Sequence, residues 1–222
     1  MRQAERAIFD LRRGLPVLLR DTAGDTLVQA VEGLHDEALA ALQALGGSDA
    51  QLILSRHRMA AMGHKEGPDV VALTLPVPPD CDRLRELACK RGAQLPDATR
   101  HTAGSAAQRA AIRLLGRAQL IPAAVACSVG ASCADAVAAA VASGNLLAVS
   151  AAEALRLCES GSGTLTRISE ARVPLAEAEN SRFVLFREAD GVHEHVAIVI
   201  GDASKWQDAV PVRLHSSCLT GD

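Results

Sequence analysis

Residues 105–129, SAAQRAAIRLLGRAQLIPAAVACSV, predict a helix that is followed at once by a buried strand. Over 105–120 the apolar residues recur at helical spacing, and Ser105 is a suitable N-cap because its hydroxyl can accept a hydrogen bond from the first turn. The apolar run at 121–129 is short, as buried strands are. Helices and strands alternate on both sides of this stretch, which predicts an α/β-like layered domain of the α+β class.

The same alternation extends toward both termini. On the N-terminal side the pattern predicts helices over 3–13, 28–45 and 82–92 and strands over 15–19, 50–55 and 69–75. On the C-terminal side it predicts a helix over 133–145, a strand over 146–150 and a helix over 150–160 capped by Ser150.

A change of pattern divides the chain. The link GSGTLTR (161–167) is followed by strand patterns at 182–188 and 195–202, which indicate a second, β-rich unit. We therefore expect two domains, over residues 1–164 and 165–222.

The composition excludes several classes of function. The 222 residues are 49% hydrophobic and 22% charged, with a net charge of −3 and 2% aromatics, so the chain is globular and has no basic field or aromatic platform for nucleic acid. No apolar stretch is long enough to cross a membrane. The six cysteines form no CxxC pair, which favours reduced thiols and a cytoplasmic location.

The C-terminal run VPVRLHSSCLTGD (210–222) places an apolar strand before a group of polar residues. Strand alternation would put Arg213 and His215 on one face. A thiolate at Cys218 beside an arginine and a histidine suits a cytosolic metal or phosphate site. The alternative is that Cys218 is a small buried hydrophobe.

Together with ISEARVPLAEAENSRFVLFRE (168–188) and HEHVAIVIGD (193–202), this run resembles the opening of the GTP cyclohydrolase II domain of riboflavin biosynthesis. The resemblance implies that Cys218 is the first of three cysteine ligands to a catalytic zinc. It also implies a GTP site along the five preceding residues. These are Arg213, Leu214, His215, Ser216 and Ser217, the last of which is commonly glutamate in the family.

The resemblance also implies what residues 1–222 lack. The family supplies two further zinc cysteines in a Cys-x-Cys after this run, and its acid/base aspartate and arginine lie well beyond it. A single thiolate does not make a three-ligand catalytic site. We therefore expect this chain to be the N-terminal portion of a longer protein, without cyclohydrolase activity by itself.

The first 164 residues resemble 3,4-dihydroxy-2-butanone 4-phosphate synthase, which precedes the cyclohydrolase in bifunctional riboflavin proteins. The resemblance rests on AIFDLRRGLPVLLRDTAGDTLVQA, DAQLILSRHRMAAMG, GSAAQRAAIRLLGRAQLIPAAVAC and GNLLAVSAAEALRL. That family holds magnesium with a carboxylate-rich loop, whereas here the corresponding run keeps only Asp21 and Asp25. Gly104-Ser105-Ala106 occupies the place of its Gly-His-Thr-Glu. We expect a degenerate domain without synthase activity.

Two further groups of residues leave alternatives open. Three arginines of the 105–120 helix form either a solvated face or a retained phosphate contact: Arg109, Arg113 and Arg117. The polar cluster in 56–64 is either surface or a metal site, and consists of Arg56, His57, Arg58 and His64.

Two further pairs leave alternatives open as well. His193 and His195 either face solvent or line the cyclohydrolase interface. Cys127 and Cys133 are either core thiols or ligands.

We therefore expect a GTP cyclohydrolase II-type protein whose first domain is a scaffold for folding or dimerisation. The alternative is that the first domain senses a phosphorylated ligand and regulates the cyclohydrolase. Both families are typically dimeric, so the resemblance implies a homodimer that uses zinc and GTP, with no nucleic acid and no membrane as partner.

Overall fold

A computed structural model describes residues 2–76, 80–159, 165–188, 191, 193–206 and 210–215. The chain forms two compact units, Met1–Gly161 and Ser162–Asp222. The first combines a sheet with helices and the second contains a separate small sheet, so the α+β class predicted from the sequence is confirmed.

The first unit is built on a sheet that has seven strands within its described residues, in the order β5-β4-β3-β6-β2-β1-β7. β1 and β7 are parallel and the other neighbours are antiparallel. The strands are β1 (Val17–Arg20), β2 (Thr26–Ala30), β3 (Gln51–Ser55), β4 (Val70–Thr74), β5 (Arg100–Ala103), β6 (Ala123–Ser128) and β7 (Leu147–Ser150). Because β6 lies between β2 and β3, it joins the two halves of the sheet.

Helices flank this sheet. They are α1 (Arg2–Arg12), α2 (Asp36–Gly46), α3 (Arg56–Ala61), α4 (Cys81–Cys89), α5 (Ala106–Arg117), α6 (Ala134–Ala142) and α7 (Ala151–Glu159). α5 contacts β1, β2, β3, β4 and β6 as well as α1 and α7. It can approach the strands closely because its buried face carries alanines beside Leu114 and Leu115, which are both fully buried.

The core contains aliphatic side chains from alternate strand positions. Leu52 and Leu54 of β3 belong to one cluster with Leu84 and Leu87 of α4, whereas Ile53 is buried outside that cluster, as the period of two requires. Removing a leucine from such a position costs about 2–5 kcal/mol. The first unit therefore keeps a full hydrophobic core.

One predicted helix is wrong in its first half. The sequence pattern predicts a helix over 28–45, but Thr26–Ala30 is strand β2 and the helix α2 covers Asp36–Gly46. β2 is buried along its whole length and pairs with both β1 and β6, so its apolar residues fill two faces of a sheet rather than one stripe of a helix. Gly33, at φ +76°, turns the chain between the two elements.

Strand β5 was not predicted from the sequence. All four of its residues are exposed, so RHTA carries no apolar alternation. It is a strand because it pairs with β4, in the register Val71 opposite Ala103 through Thr74 opposite Arg100. Tertiary pairing, and not local preference, determines its structure.

The second unit contains an antiparallel sheet, β10-β9-β8, over its described residues. Its strands are β8 (Leu165–Arg172), β9 (Ser181–Glu188) and β10 (Glu194–Ile200). The side-chain hydroxyl of Ser181 donates to the carbonyl of Val173. The predicted strands at 182–188 and 195–202 correspond to β9 and β10, and β8 adds a third that the sequence pattern does not separate.

Among the described residues, no helix is both long and apolar enough to cross a lipid bilayer.

Candidate functional site

The predicted substrate site lies at the end of the described part of the second unit. Arg213, Leu214 and His215 are exposed, with Leu214 97% exposed. They lie outside regular secondary structure, so the predicted strand that would place Arg213 and His215 on one face is wrong. Ser216, Ser217 and Cys218 lie outside the described residues.

Within the part of the chain that the structure describes, no group of three or more His, Cys, Asp or Glu side chains is arranged to hold a metal ion. The zinc predicted from Cys218 depends on a residue beyond that part.

The predicted acidic loop connects β1 to β2. The carboxylate of Asp21 accepts a hydrogen bond from the backbone N–H of Thr22 at 2.7 Å, and Asp25 lies 3.8 Å from the guanidinium of Arg20. The carbonyl of Asp25 also accepts from the N–H of Val129 at 2.9 Å, which places the loop beside the end of β6. Both carboxylates thus have local partners, and two are fewer oxygen ligands than magnesium normally takes from protein and substrate together.

At the start of α5 the chain carries a helix cap formed by Ser105 and Gln108. The Ser105 hydroxyl accepts from the Gln108 N–H at 3.2 Å, and the Ser105 N–H donates to Oε1 of Gln108 at 2.9 Å. This reciprocal capping box confirms Ser105 as the predicted N-cap. It stabilises the helix, but neither side chain is a general base or acid near neutral pH.

A cleft of about 170 Å³ lies in the first unit beside α3 and β5. Its lining includes Arg56, Met59, His64, Glu66, Val71 and His101. The rings of His64 and His101 are 6.4 Å apart between centroids and tilted by 54°. Sequence reasoning singled out Arg56 and His64 but not their proximity to His101, because only the pairing of β5 with β4 brings that residue close.

The residues of the predicted polar cluster at 56–64 do not act together. The guanidinium of Arg58 turns away to α4, where it donates to the carbonyls of Leu87 at 2.7 Å and Lys90 at 2.8 Å. Arg56 lies 3.7 Å from the carboxylate of Asp69 and lines the cleft. His57 is exposed.

His193 and His195 of the second unit converge on one carboxylate. His195 Nε2 lies 3.1 Å from Glu188 Oε1, and His193 Nδ1 lies 3.9 Å from Glu188 Oε2. The Glu188 side chain is only 14% exposed, whereas that of His195 is 51% exposed. This cluster fastens β10 to the end of β9.

The arginines of α5 differ in environment. Arg109 and Arg113 are exposed, as the solvated-face alternative predicts, and Arg109 donates to the carbonyl of Gly104 at 2.9 Å. Arg117 is partly buried. Burial raises the pKa of the Cys158 thiol, and the positive charge of Arg117 lowers it by a smaller amount.

None of the five cysteines in the described residues forms a disulfide. Burial is the main cause that raises the pKa of Cys127 to about 11, and Cys127 is fully buried, which agrees with the core-thiol alternative. Cys133 is partly exposed, with its sulfur 3.9 Å from the carbonyl of Ala44.

Comparison with known proteins gives relatives for the chain and a fold match for its first unit. The family model described as GTP cyclohydrolase II matches residues 166–222. The chain is 35% identical over 231 aligned residues to a protein named GTP cyclohydrolase-2 from Azospirillum brasilense. That alignment covers all of this chain and 59% of the relative.

A second relative of the same name, from Xylella fastidiosa, is 31% identical over 223 residues, covering 99% of this chain and 53% of the relative. The chain thus spans little more than half the length of these curated relatives. The resemblance to the GTP cyclohydrolase II family predicted from the C-terminal run is confirmed.

Solved structures show the fold of the first unit. The two-domain 3,4-dihydroxy-2-butanone 4-phosphate synthase RibBX from A. baumannii has a TM-score of 0.55 at 17% identity, covering 89% of this chain and 70% of that one. A cation-free 3,4-dihydroxy-2-butanone 4-phosphate synthase has a TM-score of 0.51 at 17% identity, covering 70% of this chain and 96% of that one. At these identities the likeness concerns fold alone, and it confirms the predicted synthase-like fold.

Proposed function

We propose that the chain, which is related over its whole length to proteins named GTP cyclohydrolase-2, is the front portion of a GTP cyclohydrolase II-type enzyme of riboflavin biosynthesis. The reaction would open the imidazole ring of GTP by hydrolysis and release formate and pyrophosphate. The observation that carries this proposal is the family match over 166–222, which includes the run from Arg213 to Cys218.

In this proposal the C-terminal run contacts GTP through Arg213 to Ser217, and the thiolate of Cys218 is one zinc ligand. The cationic guanidinium of Arg213 and the imidazole of His215 suit a phosphorylated purine substrate. The family uses three cysteine ligands for zinc, and Cys218 is one of them, so the fit of these residues to zinc is incomplete. We therefore assign no step of ring opening to residues 1–222 acting alone.

The first unit would serve as a scaffold for this enzyme, in a cytoplasmic homodimer. Its complete sheet and buried core support a structural role, whereas its two loop carboxylates and the cap at Ser105 do not support synthase chemistry. A fold can retain its packing after its original site has been lost.

The test uses residues 1–222 alone and a chimera in which they replace the aligned part of the Azospirillum brasilense relative. Zinc content and GTP-dependent formate release are measured for both. We expect zinc and formate from the chimera only, and we expect Cys218→Ser in the chimera to remove both. Cys89→Ser is the matched control, because Cys89 is an exposed cysteine on α4 far along the chain from the run.

A correctly folded chimera that contains neither zinc nor cyclohydrolase activity would overturn the proposal. Full activity of the Cys218→Ser chimera would overturn the role of Cys218. Light scattering of residues 1–222 tests the dimer separately, since a monomer across micromolar concentrations would contradict it.

A second function for the first unit is favoured by one observation. The exposed guanidiniums of Arg109 and Arg113 lie one turn apart on α5 and could contact a phosphate, as a regulatory ligand site would require. Calorimetry with GTP, ribulose 5-phosphate and flavin mononucleotide distinguishes this function from the scaffold. Ligand binding that is lost in the Arg113→Ala variant supports the regulatory function. If none of the three ligands gives a heat of binding, the scaffold role is left.

A further inference from the structure

The cleft beside α3 and β5 brings two imidazoles together from distant parts of the sequence. His101 lies on β5, opposite Leu73 of β4, so the sheet fixes its backbone. His64 follows α3, where its N–H donates to the carbonyl of Met59 at 3.0 Å. Both positions are thus held by backbone hydrogen bonds, which favours a defined geometry over two independently mobile side chains.

The separation of the two rings suits one shared metal ion. A zinc- or nickel-type ion lies about 2.0–2.1 Å from each imidazole nitrogen, so two rings on one ion have centroids several ångströms apart. The observed centroid distance of 6.4 Å is of this size. Both rings line the same cleft of about 170 Å³, which leaves room for water ligands.

The charges around the cleft do not oppose a cation. Arg56 is the guanidinium in the lining, and Asp69 lies 3.7 Å from it and offsets its charge. Glu66 is the carboxylate among the lining side chains. The charges of Arg56 and Glu66 offset each other within the lining, and Asp69 further screens the guanidinium, so a cation beside the imidazoles meets no net repulsion from these groups.

The chemistry of the ligands selects the type of metal. Imidazole suits Zn²⁺, Cu²⁺ and Ni²⁺, whereas Mg²⁺ and Ca²⁺ prefer oxygen ligands. The buried thioether of Met59 also lines the cleft and is a soft group. We propose that His64 and His101 form a binding site for a borderline divalent cation of the zinc or nickel type, completed by water.

This site is independent of the cyclohydrolase proposal, because its two ligands belong to the first unit and not to the C-terminal run. The described residues contain no three-residue metal cluster, so two imidazoles are its protein ligands and the bound ion exchanges readily. The site therefore takes up free ions reversibly and is distinct from a closed structural zinc site.

Titration of residues 1–222 with Ni²⁺ tests the site, with binding followed by calorimetry and by the imidazole resonances of the seven histidines. We expect the resonances of His64 and His101 to broaden first. Either His64→Ala or His101→Ala should weaken this binding by at least about tenfold, since even loss of an outer-shell partner costs 10–100-fold in affinity. Excess Mg²⁺ should not displace the nickel.

His57→Ala is the matched control, because His57 is an exposed histidine on α3 next to the cleft residue Arg56. It should leave the nickel isotherm unchanged. The double variant His64→Ala/His101→Ala measures binding by other groups, including Cys218, and its circular dichroism spectrum reports on folding. An isotherm for this double variant identical to that of the original chain would overturn the proposal. Phosphate binding at the cleft without any nickel effect on His64 and His101 would overturn it as well.

Discussion

Gln108 of α5 donates from Nε2 to Oε1 of Gln51 in β3 at 3.0 Å. Gln51 in turn donates to the hydroxyl of Thr74 in β4 at 3.2 Å, and Gln108 also closes the capping box with Ser105. Gln108 is only 7% exposed. A series of hydrogen bonds between polar side chains thus links the start of α5 to strands β3 and β4.

We predict that Gln108→Ala destabilises the chain by about 1–3 kcal/mol, because it leaves the partly buried amide of Gln51 without this partner and removes half of the capping box. Ser105→Ala should cost about 0.5–2 kcal/mol through loss of the cap. Urea unfolding measures both free energies. Ser143→Ala at the exposed end of α6 is the control and should lie within about 0.5 kcal/mol of the original chain. Equal stability of all three variants would contradict the network.

We predict that residues 1–222 do not convert ribulose 5-phosphate when magnesium is supplied. Asp21 and Asp25 are held by local partners, and Ser105 and Gln108 form a helix cap with no acid or base near neutral pH, so the described residues supply few oxygen ligands for magnesium and no acid/base group at α5. Formation of dihydroxybutanone phosphate is the measurement, with an active synthase assayed in parallel. Turnover that depends on Asp21 would show that the site is retained.

We predict that Arg58→Ala destabilises the chain by about 1.5–3 kcal/mol, the range for hydrogen bonds to a charged group. The Arg58 guanidinium donates to the carbonyls at the C-terminal end of α4, where a cation also complements the helix dipole. Thermal or urea unfolding gives the change. Arg113→Ala, an exposed arginine on α5, should change stability little, and an equal loss in both variants would refute a specific role for Arg58.

We predict a graded reactivity of the thiols. Burial is the main cause that raises the pKa of Cys81 to about 12 and of Cys158 to about 11. Exposed Cys89 should therefore react with a thiol reagent at pH 8 well before Cys81 and Cys127 do. Mass spectrometry of partially labelled protein identifies the order, and labelling of Cys127 ahead of Cys89 in folded protein would contradict it.

The same pKa values set the direction of a stability change at high pH. Because the folded pKa of these thiols lies above the ordinary thiol value of 9.0, their contribution to the free energy of unfolding is fully present below about pH 9. It is lost as the pH rises through the interval toward 11–12, since the unfolded chain releases the protons first. Urea unfolding between pH 7 and 10.5 should show falling stability at the upper end. Cys127→Ala should reduce this pH slope.

The sequence correctly predicted those elements whose structure depends on interactions between residues close together in the chain. Ser105 caps α5 as expected, because the cap depends on residues three positions apart. The terminal run around Cys218 predicted the resemblance to the GTP cyclohydrolase II family, since a specific motif is carried by consecutive residues. The change of pattern after the link at 161–167 predicted a β-rich second unit, and the structure divides its two units at residue 161.

The features that the sequence did not predict depend on pairing between distant segments. β2 was predicted as helix because its apolar residues gain their two-sided burial only from β1 and β6. The proximity of His64 and His101 follows from the β4–β5 register and has no local signal. Arg58 looks like part of a surface cluster in the sequence, but its partners lie on α4, beyond a whole intervening strand.

The position of β6 has a consequence for synthesis on the ribosome. The strands β1 and β2 form one group and β3, β4 and β5 another, and neither group can join the other until residues 123–128 have left the exit tunnel. During that interval the nascent chain presents the unpaired edges of β2 and β3 that later bind β6, and these invite incorrect pairing. The two groups of strands therefore join late, and slow translation before β6 lengthens the period in which these edges are exposed.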